Sequence, residues 1–128
     1  MNTVFITGAT SGFGEAIART LAKQNVKMVI TGRTKDKLFQ VAKEIEETTQ
    51  TKVLPLVFDI QDYNACKAAI ESMPAEFQDV DVLINNAGLS QELQPVHEAD
   101  IDDWERMINT NIKGLLYVTR LISPKMVE

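Results

Sequence analysis

Val4-Phe5-Ile6-Thr7-Gly8-Ala9-Thr10-Ser11-Gly12-Phe13-Gly14-Glu15-Ala16-Ile17 reads as an apolar strand, a turn with three glycines, and the start of a helix. Each glycine removes a Cβ that would hold the backbone away from an anion. The turn feeds a helix N-terminus, where unpaired N–H groups favour negative charge. A glycine pattern alone says little. This one lies directly after a strand and opens a helix, the context a dinucleotide-binding loop requires.

Outward from that loop, apolar runs alternate with helical patterns along the whole chain, the mark of an α/β fold with a parallel sheet. Val4–Ile6, Met28–Ile30, Val53–Phe58 and Val82–Ile84 are continuously apolar, as strands covered on both faces are. Between them Glu15–Gln24, Lys35–Thr49 and Asn64–Met73 carry helical spacing. Leu38, Val41, Ala42 and Ile45 form one apolar face, Asp62 is placed to cap the third helix, and Pro74 to end it. A long last helix is expected from about Asp102 to Lys125, with Asp102 and Glu105 as a capping box and Lys125 at its negative end. Its apolar stripe runs through Trp104, Ile108, Leu115, Val118 and Ile122. With 128 residues, 45% of them hydrophobic, and no repeat or linker, one domain spanning 1–128 is expected: a Rossmann-type, doubly wound parallel sheet.

The formal charge of −5 argues against nucleic acid or an anionic membrane surface as partner. One cysteine, Cys66, cannot form an internal disulfide. Met1 leads straight into a strand without a leader-like segment, and no stretch approaches a membrane span, so a cytoplasmic location is expected. Neither a nucleoside-triphosphatase P-loop nor a metal-ligand cluster is present, with one His and one Cys in the sequence.

The end of the second strand bears on the choice of cofactor. An NAD site places an acid there against the ribose 2′-hydroxyl. Here the residues are Thr31-Gly32-Arg33-Thr34, and the nearest acid, Asp36, falls inside the next helix. Arg33 offers a charge-assisted pair to a 2′-phosphate, or else sits on a solvated loop; the first reading favours NADP. Asp59, followed by Ile60 after the third strand, either accepts a hydrogen bond from an adenine amino group or caps a turn. Asn85-Asn86-Ala87-Gly88 follows the fourth strand, where a backbone able to approach a ribose or nicotinamide closely would lie. Asn111 falls on the apolar stripe of the last helix; a polar amide there needs a partner, and a neighbouring backbone is the plain candidate.

Together these segments closely resemble the short-chain dehydrogenase/reductase family over all 128 residues. Its glycine motif matches Thr7 through Gly14, its adenine-pocket acid Asp59, its Asn-Asn-Ala-Gly motif residues 85–88, and its helical catalytic-site asparagine Asn111. Gly12–Glu15, Thr31–Arg33, Leu83–Leu89 and Asp103–Glu105 are similar, within that family, to bacterial NADP-dependent 3-hydroxy acid (serine) dehydrogenases. The resemblance implies NADP as cofactor and hydride exchange with a small alcohol or ketone. It implies cofactor contacts from Gly8, Ala9, Thr10, Ser11, Gly12, Phe13, Gly14, Arg33, Thr34, Asp59, Ile60, Asn85, Asn86, Ala87 and Gly88, and a proton-relay position at Asn111. It also implies a serine and a Tyr-x-x-x-Lys pair, the lysine lowering the pKa of a tyrosine that otherwise titrates near ~10.

Those last residues are expected beyond position 128. The Tyr63-to-Lys67 match opens the helix after the third strand, on the adenine side, and is read as coincidence; Tyr117 has Leu121 four residues on. His97 sits in an acidic loop. The chain is thus expected to be a cofactor-binding part, inactive alone, whose fourth strand and last helix are left uncovered and drive self-association. A non-catalytic NADP sensor that binds a partner protein is the alternative; a methyltransferase would want an acid where Arg33 stands.

Overall fold

The computed structural model describes residues 1–10, 12–89 and 94–128. Four strands lie parallel in the order β3-β2-β1-β4: β1 (Asn2–Ile6), β2 (Val26–Gly32), β3 (Lys52–Val57) and β4 (Val82–Ile84). β1 and β2 are paired on both sides and almost wholly buried from Val4 to Ile6 and from Met28 to Thr31. β3 pairs on one side only, which is why it tolerates Pro55 opposite Ile30: an edge strand has no second neighbour to receive the missing N–H. Its burial is correspondingly partial, so the expectation of strands covered on both faces holds for β1 and β2 but not for β3 and β4.

Alternate residues of each strand point to opposite faces, and two cores result. Val4, Ile6, Met28 and Ile30 pack against α1 (Gly12–Leu21) and α2 (Lys35–Thr48), with Leu38, Val41, Ala42 and Ile45 as the buried face of α2. Phe5 and Val29 pack on the other face against Cys66 of α3 (Tyr63–Glu71) and Val118 and Ile122 of α5 (Leu115–Met126). Asp62 caps α3, its Oδ1 accepting from the Ala65 N–H at 3.2 Å, and Pro74 leads into a short turn at Ala75–Phe77. Arg19 on α1 pairs with Glu44 on α2, which raises the guanidinium pKa and lowers that of the carboxylate through their hydrogen bond.

The last helical segment departs from expectation in three respects. α4 (Ile101–Ile108) is capped by Asp100, whose Oδ1 accepts from Asp102 N–H at 2.8 Å, not by Asp102. Between α4 and α5 the helix widens to π geometry over Asn109–Gly114. The apolar stripe is buried only at Val118 and Ile122; Trp104, Ile108 and Leu115 stay 41%, 44% and 37% exposed. The reason is the sheet itself: among the described residues no strand lies beyond β4, so the first half of the segment has no layer to pack on.

Candidate functional site

Because all strands are parallel, Ile6, Gly32, Val57 and Ile84 end on one edge, and the segments after them meet there. The order reverses between β1 and β4: the chain leaves β1 toward β2 on one side and arrives at β4 on the other. Ligands of open α/β sheets bind at such a switch point. A cleft of about 340 Å³ lies at this edge, with walls from all four strand ends.

The glycine turn and the loop after β4 are locked together. Thr7, fully buried, accepts at Oγ1 from the backbone N–H of Asn86 at 3.0 Å and of Ala87 at 2.9 Å. Asn86 Nδ2 returns a bond to the Gly8 carbonyl at 3.0 Å. The glycines serve distinct needs. Gly8 has φ +67°, and a Cβ there would stand 2.7 Å from Ala87 Cα. A Cβ on Gly14 would overlap the Gly8 carbonyl oxygen and Asn86 Nδ2, so its absence allows the helix to dock on the turn. Gly12 has open space around it but φ +57°, a left-handed conformation costing an L-residue about 1–2 kcal/mol.

At the far end of the cleft, Arg33 follows β2, exposed at the wall beside Thr31 and Gly32; among the described residues no carboxylate forms an ion pair with it. Asp36 lies in the first turn of α2. After β3, Asp59 lines the cleft while its Oδ1 accepts from Gln61 N–H at 2.9 Å, so the turn-capping reading of this residue is met by one oxygen. Ile60, buried beside it, packs on Gly114, where a Cβ would meet the Ile60 side chain at 2.9 Å.

Asn111 sits in the π segment, and its whole amide is engaged. Oδ1 accepts from Leu89 N–H at 2.8 Å and Nδ2 donates to the Leu89 carbonyl at 2.9 Å. The partner is therefore a neighbouring backbone, but at an exposed position rather than on a buried stripe. On α5, Thr119 Oγ1 receives a bond from Asn85 Nδ2 at 3.0 Å. The loop after β4 is thus held from three sides, by Thr7, Asn111 and Thr119.

Gly8, Thr10, Phe13, Arg33, Asp59, Ile60, Asn86, Ala87 and Gly88 line the cleft. Ala9 is turned into the core, its N–H given to the Thr31 carbonyl at 3.0 Å. Thr34 precedes α2 as its N-cap; Gly12, Gly14, Thr34 and Asn85 are not among the lining residues. Ser11 lies outside the described residues. Thr31, Gly32, Phe58, Leu89 and Thr110 line the cleft without having been singled out; the first four adjoin motif residues, and Thr110 adjoins Asn111. Tyr63 is the first residue of α3, 40% exposed and set edge-on to Tyr117 with ring centroids 5.3 Å apart, away from the cleft lining. His97 is largely exposed, and among the described residues its one acidic partner within ion-pair distance is Glu98, at 3.6 Å. Among the described residues no helix is long and apolar enough to cross a membrane, and no cluster of His, Cys, Asp and Glu could hold a metal ion.

A family model described as short chain dehydrogenase matches residues 2–128. The NADP-dependent 3-hydroxy acid dehydrogenase of Salmonella typhi is 45% identical over 125 residues, 98% of this chain and 49% of that protein. Sulfoacetaldehyde reductase 2 of Chromohalobacter salexigens is 42% identical over the same share of this chain, again 49% of its own. A solved closed form of serine dehydrogenase complexed with NADP+ superposes with a TM-score of 0.88 at 41% identity, covering 98% of this chain and 49% of that one. The chain spans about half the length of the curated relatives it matches.

Proposed function

The chain belongs to the short-chain dehydrogenase family, and we propose that residues 1–128 are the NADP(H)-binding unit of an oxidoreductase acting on a small hydroxy acid or the matching carbonyl compound. The observation that carries this reading is the pairing of two features in one cleft. A glycine turn locked to Asn86 and Ala87 leaves room for a phosphate-bearing backbone approach, and Arg33 stands at the β2 end with no acid in the place that would repel a 2′-phosphate. The residues fit the group: Gly8, Thr10 and Phe13 of the turn line the cleft at the point where α1 begins, so backbone N–H groups of a helix start face the space a phosphate would take. The named relatives act with NADP or on small polar carbonyl and hydroxyl compounds, which supports both the cofactor and the substrate class.

When bound, NADP(H) would supply or accept the hydride. The chain's own residues bind and orient. Arg33 holds the 2′-phosphate, Asp59 and Ile60 bound the adenine end, and the loop Asn85–Leu89 forms the wall toward the nicotinamide. Asn111 spends both ends of its amide on Leu89, and we read it as a positioning residue that clamps this wall. Residues 1–128 bring no Tyr–Lys pair to the described part of the cleft, so hydride transfer by this segment alone is expected to be negligible. The uncovered faces of α4 and β4, with Trp104, Ile108 and Val82 exposed, support self-association through either; a monodisperse monomer by light scattering at micromolar concentration would count against it. A free buried Cys66 and the lack of a membrane-length helix among the described residues are compatible with a cytoplasmic location.

Calorimetric titration with NADPH, NADH and S-adenosylmethionine tests the proposal. NADPH is expected to bind at least about tenfold more tightly than NADH, the worth of one charge-assisted pair. Binding of S-adenosylmethionine alone, or of neither dinucleotide, would overturn it.

A further inference from the structure

Thr110 is 8% exposed and lines the cleft, yet among the described residues its hydroxyl has no hydrogen-bond partner. A threonine within a helix ordinarily returns its hydroxyl to the carbonyl four residues back, as Thr119 does to Leu115 at 2.7 Å and Thr48 to Glu44 at 2.8 Å. Thr110 does not. It stands in the π-helical segment, whose turn is wider than that of the α-helices carrying Thr48 and Thr119. Such π segments recur at functional sites, because they redirect side chains out of the helical pattern.

The position of Thr110 names the part of a ligand it faces. One turn on, Gly114 packs against Ile60, and the adjacent Asn111 is tied to Leu89. Thr110 therefore belongs to the wall that joins Ile60 to Leu89. We propose that the Thr110 hydroxyl is a ligand-binding group that hydrogen-bonds to a polar atom of the adenosine half of the bound dinucleotide. This inference rests on the dinucleotide reading above and adds a residue to it. A desolvated hydroxyl without a partner is unfavourable, and a ligand that supplies the partner recovers that cost on binding. The expected signature is an opposition: losing the hydroxyl weakens binding without weakening the fold.

The test compares the parent protein with Thr110→Val, which keeps the shape and loses the hydroxyl, and with Thr110→Ser, which keeps the hydroxyl. Each is titrated with 2′,5′-ADP, which carries the adenosine half alone, and melted without ligand. The valine variant is expected to bind about three- to tenfold more weakly with an unchanged or higher melting temperature, and the serine variant to bind like the parent. Equal binding by the parent and the valine variant overturns this inference and leaves the dinucleotide reading standing. A valine variant that melts lower or fails to fold shows the hydroxyl to be partnered within the fold, and overturns it likewise. If the parent binds neither 2′,5′-ADP nor NADPH, the dinucleotide reading falls and this inference falls with it.

Discussion

Thr7, at the end of β1, accepts the backbone N–H of Asn86 at 3.0 Å, joining residues 79 apart in sequence that form the two walls of the switch-point cleft. The same oxygen takes the Ala87 N–H, so one buried hydroxyl sets the start of the loop after β4. The glycine turn and the Asn-Asn-Ala-Gly segment are thereby one structural unit.

Thr7→Val removes that acceptor and strands two N–H groups. The variant is expected to lose about 2–4 kcal/mol of stability, read as a lower urea midpoint with unchanged slope, while Thr7→Ser, which gives up only a methyl, loses about 1 kcal/mol.

Gly14→Ala and Gly12→Ala separate crowding from backbone strain. At Gly14 the new Cβ meets the Gly8 carbonyl and the Asn86 amide, and the overpacking penalty of about 1–3 kcal/mol comes with displacement of the turn and loss of NADPH binding. At Gly12 nothing lies within 4 Å, so only the left-handed backbone is penalised, by about 1–2 kcal/mol. Thermal melts and NADPH titrations of the pair distinguish the two.

Arg33→Ala is expected to lower NADPH affinity some tens of fold, the worth of a charge-assisted bond at about 1.5–3 kcal/mol. NADH affinity should stay within about twofold. Titrations of both cofactors at one salt concentration check it, and a parallel loss for both would assign Arg33 to a shared part of the dinucleotide.

Cys66 is fully buried, and burial, followed by the Asp62 and Asp59 carboxylates, raises its pKa from 9.0 to about 11. The native state therefore keeps its proton where the unfolded chain has lost it. Stability is present in full below the ordinary value of 9.0 and falls as pH rises through the interval up to about 11, by roughly 3 kcal/mol. Thiol-reagent labelling is expected to be very slow at pH 8 in the native protein and fast in urea.

Much of the fold was legible along the chain. The apolar face Leu38, Val41, Ala42 and Ile45, the Asp62 cap and the parallel sheet all appear as read, because periodicity, capping and the alternation of strand and helix are local signals. The last helical segment was legible only in outline. Asp100 rather than Asp102 caps it, since two acids in succession offer the same chemistry and loop geometry chooses between them. Its stripe failed at Trp104 and Ile108 because periodicity reports which face is apolar, not whether a layer lies against it. Thr110 carried no signal at all, since the π turn that orphans its hydroxyl is a property of the folded helix.

By itself the sequence determined the parallel α/β sheet and supplied the grounds for proposing a dinucleotide ligand, because a strand–glycine turn–helix succession and an arginine after β2 are short-range patterns whose chemistry does not depend on distant partners. Only the tertiary structure decided how the site is held. Thr7 meeting Asn86, Asn111 clasping Leu89 and Thr110 left facing the cleft each depend on where parallel strands place segments far apart in the chain, and hydrogen-bond geometry across such distances is written in the packing alone.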